Sequence, residues 1–232
     1  MFATDKERVT FPSEFECRGS VEEWLLELMA HCCGMLREQL ESCLAGFIET
    51  PRDRWLNEWC AQLCTTTHQI WWTSEVNKAF ERLKQGNDQS MKEYSAQQIA
   101  NLNIYIQLVL GEMTKDMRTK VKSLITIEVH ARDVALRLIA DRTEASGDFV
   151  WQSQLKYRWD QKEKDCVINQ CDAEFRYAFE FVGNPGRLTI TALTERCRLT
   201  ITQALHLHLG GAPLGPNGTG KTETIKDLCV VP

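Results

Sequence analysis

Residues Gly215-Pro-Asn-Gly-Thr-Gly-Lys-Thr222 constrain this chain more than any other stretch, because they match the phosphate-loop pattern G-x-x-x-x-G-K-[ST]. Glycines let the backbone curl until successive N–H groups face one anion. Lys221 is placed to set an ammonium on the β- and γ-phosphates of a nucleotide, and Thr222 to offer its hydroxyl to Mg²⁺. Thr222-Glu-Thr-Ile-Lys-Asp-Leu228 reads as the helix whose positive N-terminal end meets the anion. Gly210-Gly-Ala-Pro-Leu214 is the expected strand leading in. The candidate nucleotide-binding set is therefore Gly215, Pro216, Asn217, Gly218, Thr219, Gly220, Lys221 and Thr222.

Upstream, the pattern is helical to about residue 145. Ser20-Val-Glu-Glu23 is a capping box, followed by an apolar stripe of Trp24, Leu25, Leu28, Cys32, Met35, Leu36 and Leu40. Thr50-Pro51 predicts a second helix, with Thr50 as N-cap, Pro51 in the first turn, and Trp55, Trp59 and Leu63 on its face. Trp71, Trp72, Val76, Phe80 and Leu83 continue or follow that helix, and Gly86-Asn87-Asp88 breaks it. A second capping box, Ser90-Met-Lys-Glu93, opens a helix toward Gly111, and another helix runs from about Lys115 to Asp141.

The character changes after Ser146-Gly147-Asp148. Trp151, Leu155 and Trp159 keep helical spacing, but Phe175, Tyr177, Phe179 and Phe181 recur at every second residue, as in a strand. Cys166-Val-Ile168 is the expected partner across a turn at Asn169–Asp172, giving a β-hairpin at about 165–182. Leu188-Thr-Ile190 begins an extended piece. A helix from about Thr194 to Leu209 follows, with Cys197, Ile201, Leu205 and Leu209 on its apolar side.

Composition removes several classes. Of 232 residues, 27 are Lys or Arg and 32 Asp or Glu, and the net charge of −5 comes with no dense basic block to meet a nucleic acid. No apolar window is long enough to span a membrane, and Asp5, Lys6, Glu7 and Arg8 stand where a signal peptide needs an apolar core. The 10 cysteines include no C-x-x-C pair, so reduced thiols are expected. Cys60, Cys64 and His68 share a helix face, but i to i+8 spans roughly 12 Å along the axis. That is too far for one tetrahedral zinc, and packing is the expected role.

From Phe175 to Leu228 the residues resemble the start of the motor region of dynein heavy chains. The likeness rests on Arg176-Tyr-Ala-Phe-Glu-Phe-Val-Gly-Asn184, on Arg187-Leu-Thr-Ile-Thr-Ala-Leu-Thr-Glu-Arg-Cys197, and on Gly210 to Leu228. Further upstream, Ile70-Trp-Trp-Thr-Ser-Glu-Val76, Ile127-Glu-Val-His-Ala-Arg-Asp-Val134 and Trp151-Gln-Ser-Gln-Leu-Lys-Tyr157 resemble the linker before the first AAA+ module, and the His-Ala-Arg-Asp block leans axonemal.

The resemblance implies a mainly α fold. Residues 1–185 would be a helical linker-type bundle with a small β-hairpin element. Residues 186–232 would be the incomplete strand–P-loop–helix start of an α/β AAA+ module. It also implies an ATP-driven, minus-end-directed microtubule motor using ATP and Mg²⁺, with Leu188, Ile190 and Leu193 on the adenine side and Thr222 reaching Mg²⁺ through the nucleotide. Implied partners are the rest of the motor ring and the dynein intermediate and light chains. Microtubule contact would run through regions outside these residues, in the cytoplasmic cytoskeleton and the ciliary axoneme.

Two departures stand out: Ala192 where the family usually has Pro, and Cys229-Val-Val-Pro232 where the phosphate-binding helix normally continues. Hydrolysis also needs an acidic strand and an arginine beyond the P-loop. A fragment that binds ATP without turning it over is therefore expected. The alternative is a non-catalytic helical interaction protein with a vestigial P-loop, binding dynein subunits through aromatic faces around Trp55, Trp59, Trp71 and Trp72.

Overall fold

The computed structural model describes residues 1–184 and 186–229. Its main body is helical: α1 (Val21–Glu49), α2 (Arg52–Glu58), α3 (Ala61–Lys84), α4 (Ser90–Leu110) and α5 (Lys115–Ala140). A single turn, α6 (Phe149–Gln152), leads into strands β1 (Lys156–Asp160), β2 (Asp165–Gln170) and β3 (Ala173–Arg176), and then come α7 (Ala192–His206) and α8 (Lys221–Cys229). The sequence predicts a mainly α fold with a small β-hairpin; the fold is mainly α, and its β element is a three-stranded antiparallel sheet.

Local chemistry sets the helix ends. The Ser20 hydroxyl accepts from Glu23 N while Glu23 Oε2 accepts from Ser20 N, so the first capping box forms as expected. Thr50 does not open a helix. Its N–H donates to Gly46 O at 3.0 Å and closes α1, and Pro51 takes the N-cap place of α2. Trp59 is extended (φ −114°, ψ 151°), so α2 stops there and Leu63 lies on a separate helix, α3. The second capping box also fails. Ser90 Oγ instead donates to Ala79 O across the turn at 2.9 Å, which ties α4 to α3.

Two apolar centres result. One joins Leu36, Leu40, Trp55, Leu63 and Leu124 to Ile168 and Phe179; the other gathers Trp72, Val76, Phe80, Tyr94, Val134 and Trp151. Trp151 is fully buried, stands edge-on to Trp72 with centroids 5.1 Å apart, and donates its indole N–H to Asn77 Oδ1 at 3.1 Å. The tryptophans that suggested a docking face are internal: Trp55 and Trp72 are buried, and Trp59 and Trp71 are partly so.

The sheet is a meander, β1-β2-β3, with Tyr157 opposite Ile168 and Ile168 opposite Phe175. It departs from the predicted hairpin in two ways. Trp159, read as helical, lies in β1 opposite Cys166. The aromatic alternation outlasts the strand, because β3 ends at Arg176 and Phe179 turns left-handed (φ 56°). Beyond that point Gln62 on α3 does the pairing: Nε2 donates to Tyr177 Oη and Glu180 O, and Oε1 accepts from Val182 N. A side chain thus pairs Glu180 O and Val182 N where a neighbouring strand would otherwise do so.

Gly183 (φ +80°) marks the exit from this body. A Cβ there would lie 2.3 Å from Ala3 Cβ, so the N-terminal segment packs against it. Asn184 N donates to Asp5 Oδ2, and Ser123 Oγ on α5 donates to Asn184 Oδ1. No helix among the described residues is long and apolar enough to cross a membrane.

Candidate phosphate-binding site

The C-terminal stretch is mounted on the body through α7. Thr191 Oγ1 accepts from Thr194 N, which starts the helix at Ala192 rather than Thr194. The helix ends at His206, because His208 turns left-handed (φ 57°) and Leu209 N reaches back to Ala204 O. Leu205 and Leu209 are exposed, so the apolar side is shorter than the periodicity suggested. What α7 buries is Arg198, Ile201 and Thr202. Thr202 Oγ1 donates to Gln170 Oε1, and Gln203 Nε2 to Gln170 O, holding α7 against the sheet.

A second seam joins α7 to α5. Arg137 Nη1 lies 3.1 Å from Glu195 Oε2, and His130 Nδ1 is 4.0 Å from Glu195 Oε1. Burial drives the His130 pKa down to about 4 despite the pull of Glu195, with Arg198 and Arg137 adding to the decrease. The imidazole is neutral at physiological pH.

Residues 207–220 are nearly all exposed, and Gly210–Leu214 is not a strand. Pro213 lacks a donor, no neighbouring strand pairs with the segment among the described residues, and Leu214 is 94% exposed. The loop itself has the expected curl. Gly218 and Gly220 are left-handed, at φ +77° and +79°, and a Cβ on either would meet nothing within 4 Å, so backbone conformation rather than space calls for glycine. Helix α8 starts at Lys221, one residue before the predicted Thr222, with Thr224 N bonded to Gly220 O at 2.9 Å.

The donor set fits a polyphosphate. Lys221, the exposed Thr222 hydroxyl and the free amides of the first turn of α8 lie at one end of one helix. Lys221 Nζ is folded onto the loop, donating to Gly215 O at 2.8 Å and Pro216 O at 2.5 Å, with Thr219 Oγ1 at 3.4 Å. Thr219 Oγ1 donates to Pro216 O at 2.9 Å and fixes the bend. Of the predicted adenine-side residues, Leu188 and Leu193 are exposed and Ile190 is half-buried on the segment entering α7.

Sequence reasoning missed the group that ties these parts together. Asp227, on α8, is 7% exposed. Its Oδ1 accepts from Leu188 N at 3.3 Å and lies 3.5 Å from Arg187 Nε, and its Oδ2 is paired with Arg198 Nη2. Burial lowers the Arg198 pKa while Asp227 opposes the shift. The one available signal was Arg198 standing three residues before Ile201 on the apolar face of α7. The Cys60, Cys64 and His68 face serves packing: Cys64 is buried, and His68 Nε2 meets Glu128 Oε1 at 2.7 Å.

Residues 177–231 match the family described as the hydrolytic ATP binding site of dynein motor region. Nearly all of the chain aligns with dynein heavy chains: the ciliary dynein beta chain of Heliocidaris crassispina is 46% identical over 228 residues, 98% of this chain. The chain belongs to the dynein heavy-chain family. Human axonemal dynein heavy chains 17 and 2 are each 43% identical across the same share of this chain. This dynein sequence spans 5% of the length of each of these relatives. The relatives are ciliary and axonemal, in keeping with the lean of the His130-Ala-Arg-Asp133 block.

Proposed function

We propose that this chain supplies the linker-like body and the ATP-binding P-loop of an axonemal dynein motor. Residues 1–185 form the linker-like part, and residues 186–232 open the first AAA+ module. The observation that carries the reading is the end of α8, where Lys221, Thr222 and free helix amides accompany a loop bent by left-handed Gly218 and Gly220. Gly215 to Thr222 would hold the phosphates, with Lys221 leaving the loop carbonyls for phosphate oxygens and Thr222 facing Mg²⁺. Leu188, Ile190 and Leu193 would offer apolar surface to the adenine. Bound ATP supplies the phosphoryl group whose transfer drives the family's motor, and Mg²⁺ neutralises its charge.

Within a full heavy chain, the partners are the rest of the motor ring and the intermediate and light chains, in the axoneme. After Thr222 the sequence offers Glu223 and Asp227 as its only acids and no arginine, and Asp227 is already committed to Arg187 and Arg198. The role proposed for these residues is nucleotide binding, not hydrolysis.

Titration calorimetry of the purified chain with Mg-ATP tests the reading. Saturable binding is expected, weakened about 10- to 100-fold by Lys221→Ala, the loss of one or two charge-assisted hydrogen bonds. Equal affinity in the two proteins would refute it, and so would Mg-dependent turnover by the chain alone refute the assignment to binding only.

A further inference from the structure

Asp227 sits six residues beyond Lys221 on α8, roughly 9 Å along the helix axis, so its carboxylate lies away from the phosphate end of the helix and beside the base-side segment. Its two oxygens face two different elements. Oδ1 holds the backbone N–H of Leu188 and the Arg187 guanidinium, on the segment that enters α7; Oδ2 holds Arg198, within α7. All three side chains are at least seven-eighths buried, with side-chain exposures of 12% for Arg187 and 6% for both Arg198 and Asp227. Two guanidiniums around one carboxylate leave a net positive charge in a nearly dry space. Removing the carboxylate would strand both.

We propose that Asp227 is a positioning residue that fixes the P-loop helix to the Arg187–Leu188 backbone and thereby sets the separation of the phosphate and base subsites of one nucleotide. The inference rests on the nucleotide reading above and deepens it. Among the described contacts, the Leu188 N–H to Asp227 bond joins the base-side segment directly to α8. The ligand it favours is a nucleoside triphosphate, since a bare triphosphate touches only one of the two subsites.

That difference supplies a readout which a merely structural role would not move. Mg-ATP and Mg-tripolyphosphate are titrated separately into the full chain, into Asp227→Asn and into Arg187→Gln. Arg187→Gln leaves Arg198 paired with Asp227, so it keeps a balanced buried pair and is expected to fold even if Asp227→Asn does not. Asp227→Asn is expected to weaken Mg-ATP at least 10-fold and Arg187→Gln about 3-fold, with tripolyphosphate changed less than 2-fold in both. Parallel losses for both ligands would overturn the proposal, as would no loss for either. If the unsubstituted chain binds neither ligand, the P-loop reading falls and the positioning role with it. If it binds both but shows no split, only the positioning role falls.

Discussion

The helical body and the phosphate loop are built on opposite principles. Helix α3 buries residues along nearly its whole length, from Ala61 to Phe80, whereas α8 buries only Asp227 and Leu228 and the approach at 207–220 lies open. In the body, buried side chains such as Trp151 are held by others far away in sequence. In the loop, conformation comes from neighbours: glycine φ angles, the Thr219 to Pro216 bond and Lys221 folded onto Gly215 and Pro216. Packing thus specifies the scaffold, and a local motif specifies the site.

Substitutions can break this contrast, beginning with the largest effect. Trp151→Ala should cost about 3–5 kcal/mol in urea unfolding, because it empties a fully buried site between α3 and α5. Leu214→Ala, equally apolar but 94% exposed, should stay within about 0.5 kcal/mol. Similar costs at the two positions would mean the loop is packed after all.

The seam between the regions should show a pH dependence. An unfolded imidazole takes up its proton near pH 6.5, whereas buried His130 does so only near 4, so the unfolded state binds more protons between those values. Stability from this residue is fully present above pH 6.5 and falls as the pH drops toward 4, by at most about 3 kcal/mol. His130→Gln should remove that component of the slope; unchanged acid sensitivity in the variant would contradict the assignment. A smaller effect belongs to the helix start: Ser20→Ala should lower stability by about 1 kcal/mol through loss of the capping box, measured by the same unfolding curves.

How much of this was legible follows the same division. Local signals were read correctly: the Ser20 box, the break at Gly86, helix α5 from Lys115, and the helix after the P-loop. Errors arose where distant partners decide. Trp159 shares the four-residue spacing of Trp151 and Leu155, yet it pairs with Cys166 in a strand. Ser90 has the right local sequence for a cap, but the carbonyl of Ala79 claims its hydroxyl. The Gly210–Leu214 strand had no partner among the described residues, and the Asp227 cluster joins positions 29 and 39 residues apart, a spacing that no periodicity encodes.

The central claim is that an already packed body carries an open loop that a nucleotide organises. Amide hydrogen exchange of the intact chain, with and without Mg-ATP, measures this directly. Protection should appear at 215–228 and 187–193, while α3 and α5 exchange at the same slow rate in both states. Uniform protection across the body, or no change at 215–228, would contradict it.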